Sequence, residues 1–223
     1  MTQPATNIAW VRTPKRARSQ AAAERLFAAA EELIEEGIWE QSPVDEIVRR
    51  AGSTLPSFHA RFRDKEGLLR ALHERFMAEA AATSDALLSA ERWDGCSIPE
   101  IIRESVAFAV RTYRERERLI RAFLACSARN EGFRERSQDL SRQIGELLRK
   151  LVLARRKELL HPAPAIAAEF SARLIHGLLV ARTLNGEAGE GSGLRLTDEQ
   201  ITTELIYAVL AYLGVFSTDT WDS

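Results

Sequence analysis

Only two cysteines, Cys96 and Cys126, occur in the 223 residues. That is too few for a disulfide framework, and nothing at metal-ligand spacing surrounds either one. Both read as reduced, buried thiols. Glycine and proline are also scarce, at 12 and 7 residues, which argues against a loop-rich or disordered chain. No segment alternates apolar and polar residues as a strand does, and none reaches the roughly 20 uncharged apolar residues of a membrane helix. The opening MTQPATNIAWVRTPKRAR lacks the apolar core of a signal peptide, so a cytoplasmic protein with no membrane contact is expected. The formal net charge is −1. Nucleic-acid binding therefore requires charge to be segregated locally.

Catalytic constellations are missing too. The glycines at 186, 189, 191 and 193 follow no strand and precede no Lys-Ser/Thr pair, so they do not form a phosphate loop. Glu158-Leu159-Leu160-His161 matches the Glu-x-x-His element of a di-metal helical bundle, but no second copy exists. There is no nucleophile elbow. Neither an enzyme, a cofactor nor a metal is expected.

What is present is helical periodicity. With 45% hydrophobic and 28% charged residues, the chain reads as an all-α protein of about nine helices, divided by composition and pattern. Residues 1–18 form a polar arm ending in Arg12, Lys15, Arg16 and Arg18, suited to phosphates or a minor groove. Residues 19–65 form a small helical domain, 66–216 a larger one, and 217–223 a tail.

Within the small domain, Ser19–Glu36 carries the stripe Leu26, Phe27, Ala30, Leu33 and Ile34, and stops at Gly37. The segment SPVDEIVRRAGSTLPSFHARFRDK, residues 42–65, holds two short helices and a tight turn. Ser42-Pro43-Val44-Asp45 starts the first, with Ser42 as its cap, and Val44, Ile47, Val48 and Ala51 share one face. Gly52 ends it where positive φ is needed. Thr54 caps the second, whose stripe is Leu55, Phe58 and Phe62. The other face holds Ser57, His59, Ala60 and Arg61, small or hydrogen-bonding residues that suit close approach to bases. This is a helix-turn-helix pattern. Acids lie on the preceding helix, whereas Arg49, Arg50, Arg61, Arg63 and Lys65 follow it, a segregation that a DNA-facing surface requires.

In the larger domain, helices are expected over residues 65–90, 97–116, 118–129, 133–160, 165–184 and from Thr197 onward. Ser97-Ile98-Pro99-Glu100 and Thr197-Asp198-Glu199-Gln200 are capping boxes. The segment between the last two helices, NGEAGEGSGLRL, reads as a flexible loop. Polar residues on apolar stripes point to a ligand pocket: Ser105, Thr112, Cys126, Arg173 and His176, accompanied by Phe76, Phe108, Phe123 and Phe170. The last two helices are apolar on more than one face. A homodimer formed through them into a four-helix interface accounts for this.

These residues carry a family resemblance. Val44-x-x-Ile47-Val48-x-x-Ala51-Gly52, then Ser57-Phe58-x-x-x-Phe62-x-x-Lys65-Glu66-x-Leu68-Leu69, resembles the DNA-binding domain of TetR/AcrR-type (tetracycline-repressor-like) transcriptional regulators. The match lies within residues 19–69. The resemblance implies a ligand-responsive homodimer that binds double-stranded DNA at a palindromic operator and is released by a small apolar or amphipathic effector. By position, it assigns Thr54, Leu55, Pro56, Ser57, His59, Ala60 and Arg61 to the recognition helix and its lead-in. It puts Lys65 where such regulators contact a phosphate, and Ser42, at a helix N-terminus whose free N–H groups favour anions, is a further phosphate candidate. The chain departs from the pattern at Ser53, His59 and Arg61, where such regulators usually carry Val, Tyr and His. Two other functions remain open: a helical ligand- or partner-binding module without DNA recognition, and a helical-bundle enzyme.

Overall fold

A computed structural model of the chain describes residues 15–185 and 196–215, with side chains from residue 20 onward. The basic arm's side chains, most of the glycine-bearing loop and the tail at 217–223 lie outside the described residues. The chain divides into two compact units, Met1–Leu72 and His73–Ser223. The division falls inside a helix, beyond position 65 where sequence pattern places it.

The first unit comprises α1 (Lys15–Glu35), α2 (Val44–Arg50), α3 (Leu55–His59) and the start of α4 (Lys65–Leu87). Leu26, Leu33, Ile47, Phe58 and Leu68 are fully buried and form its centre. The stripe read from α1 is all buried. The stripe read from α3 is not: Phe58 and Phe62 go inside, but Leu55 stays 40% exposed. Leu55 is the first residue of α3, directly after the Thr54 cap.

Backbone punctuation follows the sequence closely. Gly37 (φ 75°) and Gly52 (φ 53°) adopt left-handed conformations at the ends of α1 and α2. Thr54 Oγ1 accepts from the Ser57 amide at 3.3 Å, and Asp64 Oδ1 accepts from the Gly67 amide at 2.8 Å, opening α3 and α4. Ser42 departs from its expected role. Its hydroxyl makes no cap to α2 and instead donates to the Ile38 carbonyl at 2.7 Å. Pro43 stands at the N-cap, and Ser42 belongs to the turn that leaves α1.

The second unit contains the rest of α4, then α5 (Ile98–Glu115), α6 (Glu117–Ser127), α7 (Glu131–Ala154), α8 (Pro164–Asn185) and α9 (Asp198–Leu213). Both capping boxes form: the Ser97 amide donates to Glu100 at 2.7 Å, and the Thr197 amide donates to Gln200 at 2.9 Å. The core is built from α5, α7, α8 and α9, with Ile98, Ile101, Ile102, Val106, Ala167, Ala168, Val209 and Leu213 wholly or almost wholly enclosed. α7 packs most extensively on α8, and α5 on α9.

α7 ends at Ala154, short of the expected 160. The Arg155 guanidinium turns back to the carbonyls of Trp93, Cys96 and Leu151. A short 3-10 turn, Arg156–Glu158, follows. Glu158 then accepts from the Ile98 amide at 2.9 Å, and His161 Nδ1 accepts from the Ala163 amide at 3.0 Å. Both residues of the Glu-x-x-His element are thus engaged with main chain.

α8 has two faces. Ala167, Ala168, Ser171, Ile175, Leu179 and Thr183 point inward, whereas Ile166, Phe170, Leu178 and Leu184 are 65, 50, 40 and 52% exposed. By length and mean hydropathy, α8 is the one helix among the described residues that could cross a membrane, although sequence reading finds no such segment. Glu169, Arg173 and Arg182 interrupt its apolar run, and its inner face belongs to the core.

Candidate functional site

The helix-turn-helix presents α3 outward. Thr54, Leu55, Pro56, His59 and Ala60 are exposed, Ser57 and Arg61 are half-buried, and Phe58 anchors the helix from beneath. The His59 ring meets Phe58 edge-on at 5.2 Å. Arg61 folds back along α3, donating through Nη1 to the Ser57 carbonyl at 2.6 Å and to its hydroxyl at 2.9 Å. Ser57 and Arg61 therefore act as one group, and the guanidinium satisfies a carbonyl left open at the end of a short helix.

At Arg49 and Arg50 the expected positive charge is offset by acids. Glu46 lies one turn before Arg49 and Arg50. It takes two hydrogen bonds from Arg49, at 2.8 and 2.6 Å, and one from Arg50 at 2.8 Å. Arg50 also grips Glu36 through two nitrogens, at 2.5 and 2.7 Å. Hydrogen bonds from Arg49 and Arg50 hold the Glu46 carboxyl down to about 2, and the bond from Arg50 lowers Glu36.

Lys65 is engaged as well. Its ammonium donates to the carbonyls of Trp39, Glu40 and Ser42, and lies 4.5 Å from the Trp39 ring centroid. Burial pushes its pKa down. Ser42 is buried, with its hydroxyl on Ile38. The two residues assigned to phosphate are joined to each other in the turn between α1 and α2.

In the second unit, the nine expected pocket residues fall into separate places. Phe76 and Phe123 meet, with ring centroids 5.5 Å apart. They do so around His73, which sequence reading missed. His73 is 1% exposed, meets Phe123 edge-on at 4.9 Å and Phe133 at a tilt at 4.6 Å, and its Nε2 lies 3.2 Å from Ser137 Oγ. Burial pushes its pKa down to about 4, so the ring is neutral. Its signal was legible, because His73 sits midway between Leu69 and Met77 on the buried stripe of α4.

On α5, the Thr112 hydroxyl donates to its own helix at Phe108, 2.9 Å away. The Ser105 hydroxyl is buried and has no partner among the described residues. Cys126 is half-buried. Three further expected residues lie elsewhere. Phe170 lies on the outer face of α8 against Tyr212 at 5.0 Å, and Arg173 is exposed and bound to Glu169 at 2.9 Å. His176 Nδ1 lies 3.0 Å from the Tyr113 hydroxyl. Desolvation lowers the pKa of His176 and raises that of Tyr113 to about 12. Helical spacing places these three on a shared side of α8, but that side faces away from the core.

One cleft opens among Val110, Tyr113, Arg114, Glu117, Leu179, Arg182 and Thr183. It encloses about 20 Å³, room for a single water. Among the described residues, no three His, Cys, Asp or Glu side chains converge as metal ligands.

With this geometry in place, comparison with known proteins identifies the family. The family model described as "Bacterial regulatory proteins, tetR family" matches residues 21–72, and one described as "Tetracyclin repressor-like, C-terminal domain" matches residues 97–213. The chain belongs to the tetR family. Its members are DNA-binding transcription regulators, and neither match indicates a catalytic family. No curated protein matches the sequence.

Among solved structures, the fold resembles a Mesorhizobium loti protein described as a TetR-family transcriptional regulator. The two are 15% identical with a TM-score of 0.67, over 90% of this chain and 99% of that one. It also resembles FadR from Bacillus subtilis in complex with stearoyl-CoA, 14% identical with a TM-score of 0.63, over 85% and 98%. A SmeT–triclosan complex is 21% identical with a TM-score of 0.63, over 92% and 98%. These likenesses establish the shared fold.

Proposed function

We propose that this tetR-family member is a ligand-responsive repressor. It binds a palindromic operator as a homodimer, placing the two copies of α3 in successive major grooves about 34 Å apart. The observation that carries this reading is α3 itself. It is capped at Thr54, anchored by Phe58, and presents Thr54, Leu55, Pro56, His59 and Ala60 outward with Ser57 and Arg61 beside them. Repression takes place in the cytoplasm, where the operator is.

The copies join through α8 and α9, which covers Ile166, Phe170, Leu178 and Leu184. The effector is small and apolar or amphipathic. Phe76, Phe123 and His73, which meet, are its candidate site, and Phe108 with the unpartnered Ser105 hydroxyl on α5 are further candidates. Similar structures hold stearoyl-CoA and triclosan, ligands of that character. Binding shifts the equilibrium by its preference for the conformer that cannot span both half-sites, and the continuous α4 transmits the change.

A gel shift with the DNA flanking the gene tests the reading. Binding that weakens steeply with salt is expected. Arg61→Ala lowers operator affinity; an unchanged affinity and salt slope would exclude Arg61 from the DNA face.

A second reading is favoured by one observation: Arg49, Arg50 and Lys65 are all committed to internal partners. A helical ligand- or partner-binding module without DNA recognition fits that commitment. No shift at low salt supports it over the first.

A further inference from the structure

We propose that α3 reads thymine methyl groups, with Leu55 as the principal specificity-determining residue and the operator half-site carrying thymine at the steps it covers. This rests on the DNA-binding reading above and adds what is read.

In the major groove, guanine is chosen by Arg or Lys, adenine by Asn or Gln, cytosine by Asp or Glu, and thymine by apolar contact with its methyl. The segment from Thr54 to Ala60, TLPSFHA, contains none of those six polar residues. Its hydrogen-bonding groups are also partly committed. Thr54 Oγ1 accepts from the Ser57 amide, and the Ser57 hydroxyl accepts from Arg61. Hydroxyls discriminate little between bases in any case.

What remains outward is apolar surface and one imidazole. Leu55 keeps 40% of its surface in water on a helix whose Phe58 is fully enclosed. Pro56 follows it, and Pro56 and Ala60 form one exposed i, i+4 pair while Leu55 and His59 form the other. Three of these four side chains can gain only by covering apolar atoms, and the thymine methyl is the apolar group that the major groove displays. The cations on α2 and at the end of α3 are already engaged. Arg49 and Arg50 are tied to Glu46 and Glu36, and Arg61 lies along α3.

The full-length protein is used to select its binding site from a random duplex library, and the selected duplex is resynthesised with deoxyuridine in place of thymidine. Affinity should fall about 4-fold for each contacted methyl lost. Leu55→Ala, at an exposed position with the helical spectrum of the parent as its folding control, should erase most of that thymine-over-uracil preference. Equal affinity for the two duplexes overturns the inference while leaving DNA binding intact. Full preference in Leu55→Ala removes Leu55 as the reader. Recovery of no sequence even at low salt overturns the DNA-binding reading, and this inference falls with it.

Discussion

Lys65 stands where family resemblance assigns a phosphate contact, yet its three N–H donors meet three main-chain carbonyls across the α1–α2 turn. Hydrogen bonds from a charged donor are worth on the order of 2 kcal/mol when removal strands their acceptors. Lys65→Met is therefore expected to lower the urea midpoint by an amount equivalent to about 2 kcal/mol. A variant of parental stability that simply loses DNA affinity would show that the ammonium serves phosphate instead. His73 makes a second residue-scale claim. Its folded pKa of about 4 lies below the roughly 6.5 of a free imidazole, so the unfolded chain takes up the proton first as pH falls. Its contribution is complete above about pH 6.5 and is lost as pH falls towards 4, up to roughly 3 kcal/mol in all. Urea midpoints between pH 7 and 4.5 should decline, and His73→Gln should flatten the decline. Glu46, held at about 2 by its arginines, loses its ion pairs only in more acidic solution. The two groups thus act in separate pH windows.

At the scale of elements, short helices depend on their ends. α2 has seven residues and α3 has five, below the length at which helices persist unaided. The turn between them is set by Gly52 at φ 53°, where an added Cβ meets nothing within 4 Å. The cost of Gly52→Ala is consequently conformational, about 1 kcal/mol, and it falls on the geometry that aims α3. A lowered midpoint with weakened operator binding is expected; an unchanged midpoint would mean that the backbone relaxes elsewhere. α7 shows the complementary case. Nothing in its local sequence stops it at Ala154, and the stop comes from Arg155 reaching carbonyls about 60 residues away in sequence.

At the scale of the whole molecule, α8 carries the argument for assembly. Its inner face is core, while four large apolar residues on the outer face stay in water in the single chain. Phe170→Asp combined with Leu178→Asp should convert the proposed homodimer to a monomer in light scattering and keep the helical spectrum. The double variant should also lose operator affinity, since one recognition helix reaches one half-site. A variant that stays dimeric would place the interface elsewhere.

The helix count, the α2–α3 turn, both capping boxes and most core stripes were legible in the chain because each is fixed by spacing within a turn or two. Val44–Arg50 ended at Gly52 and α3 began at Thr54, as local rules dictate. The outer face of α3 was legible for the same reason, apart from Leu55, whose apolarity implies burial but which stays exposed at the first position of the helix. What only tertiary structure decided were the relations between distant residues. Arg50 met Glu36, Lys65 met three carbonyls in the preceding turn, and His73 met Phe133 and Ser137. It also decided which side of α8 faces the core, and so separated Phe170 and Arg173 from Phe76 and Phe123. Periodicity locates a stripe on a helix, but a helix with apolar residues on both sides has no preferred orientation until its neighbours exclude water from one of them.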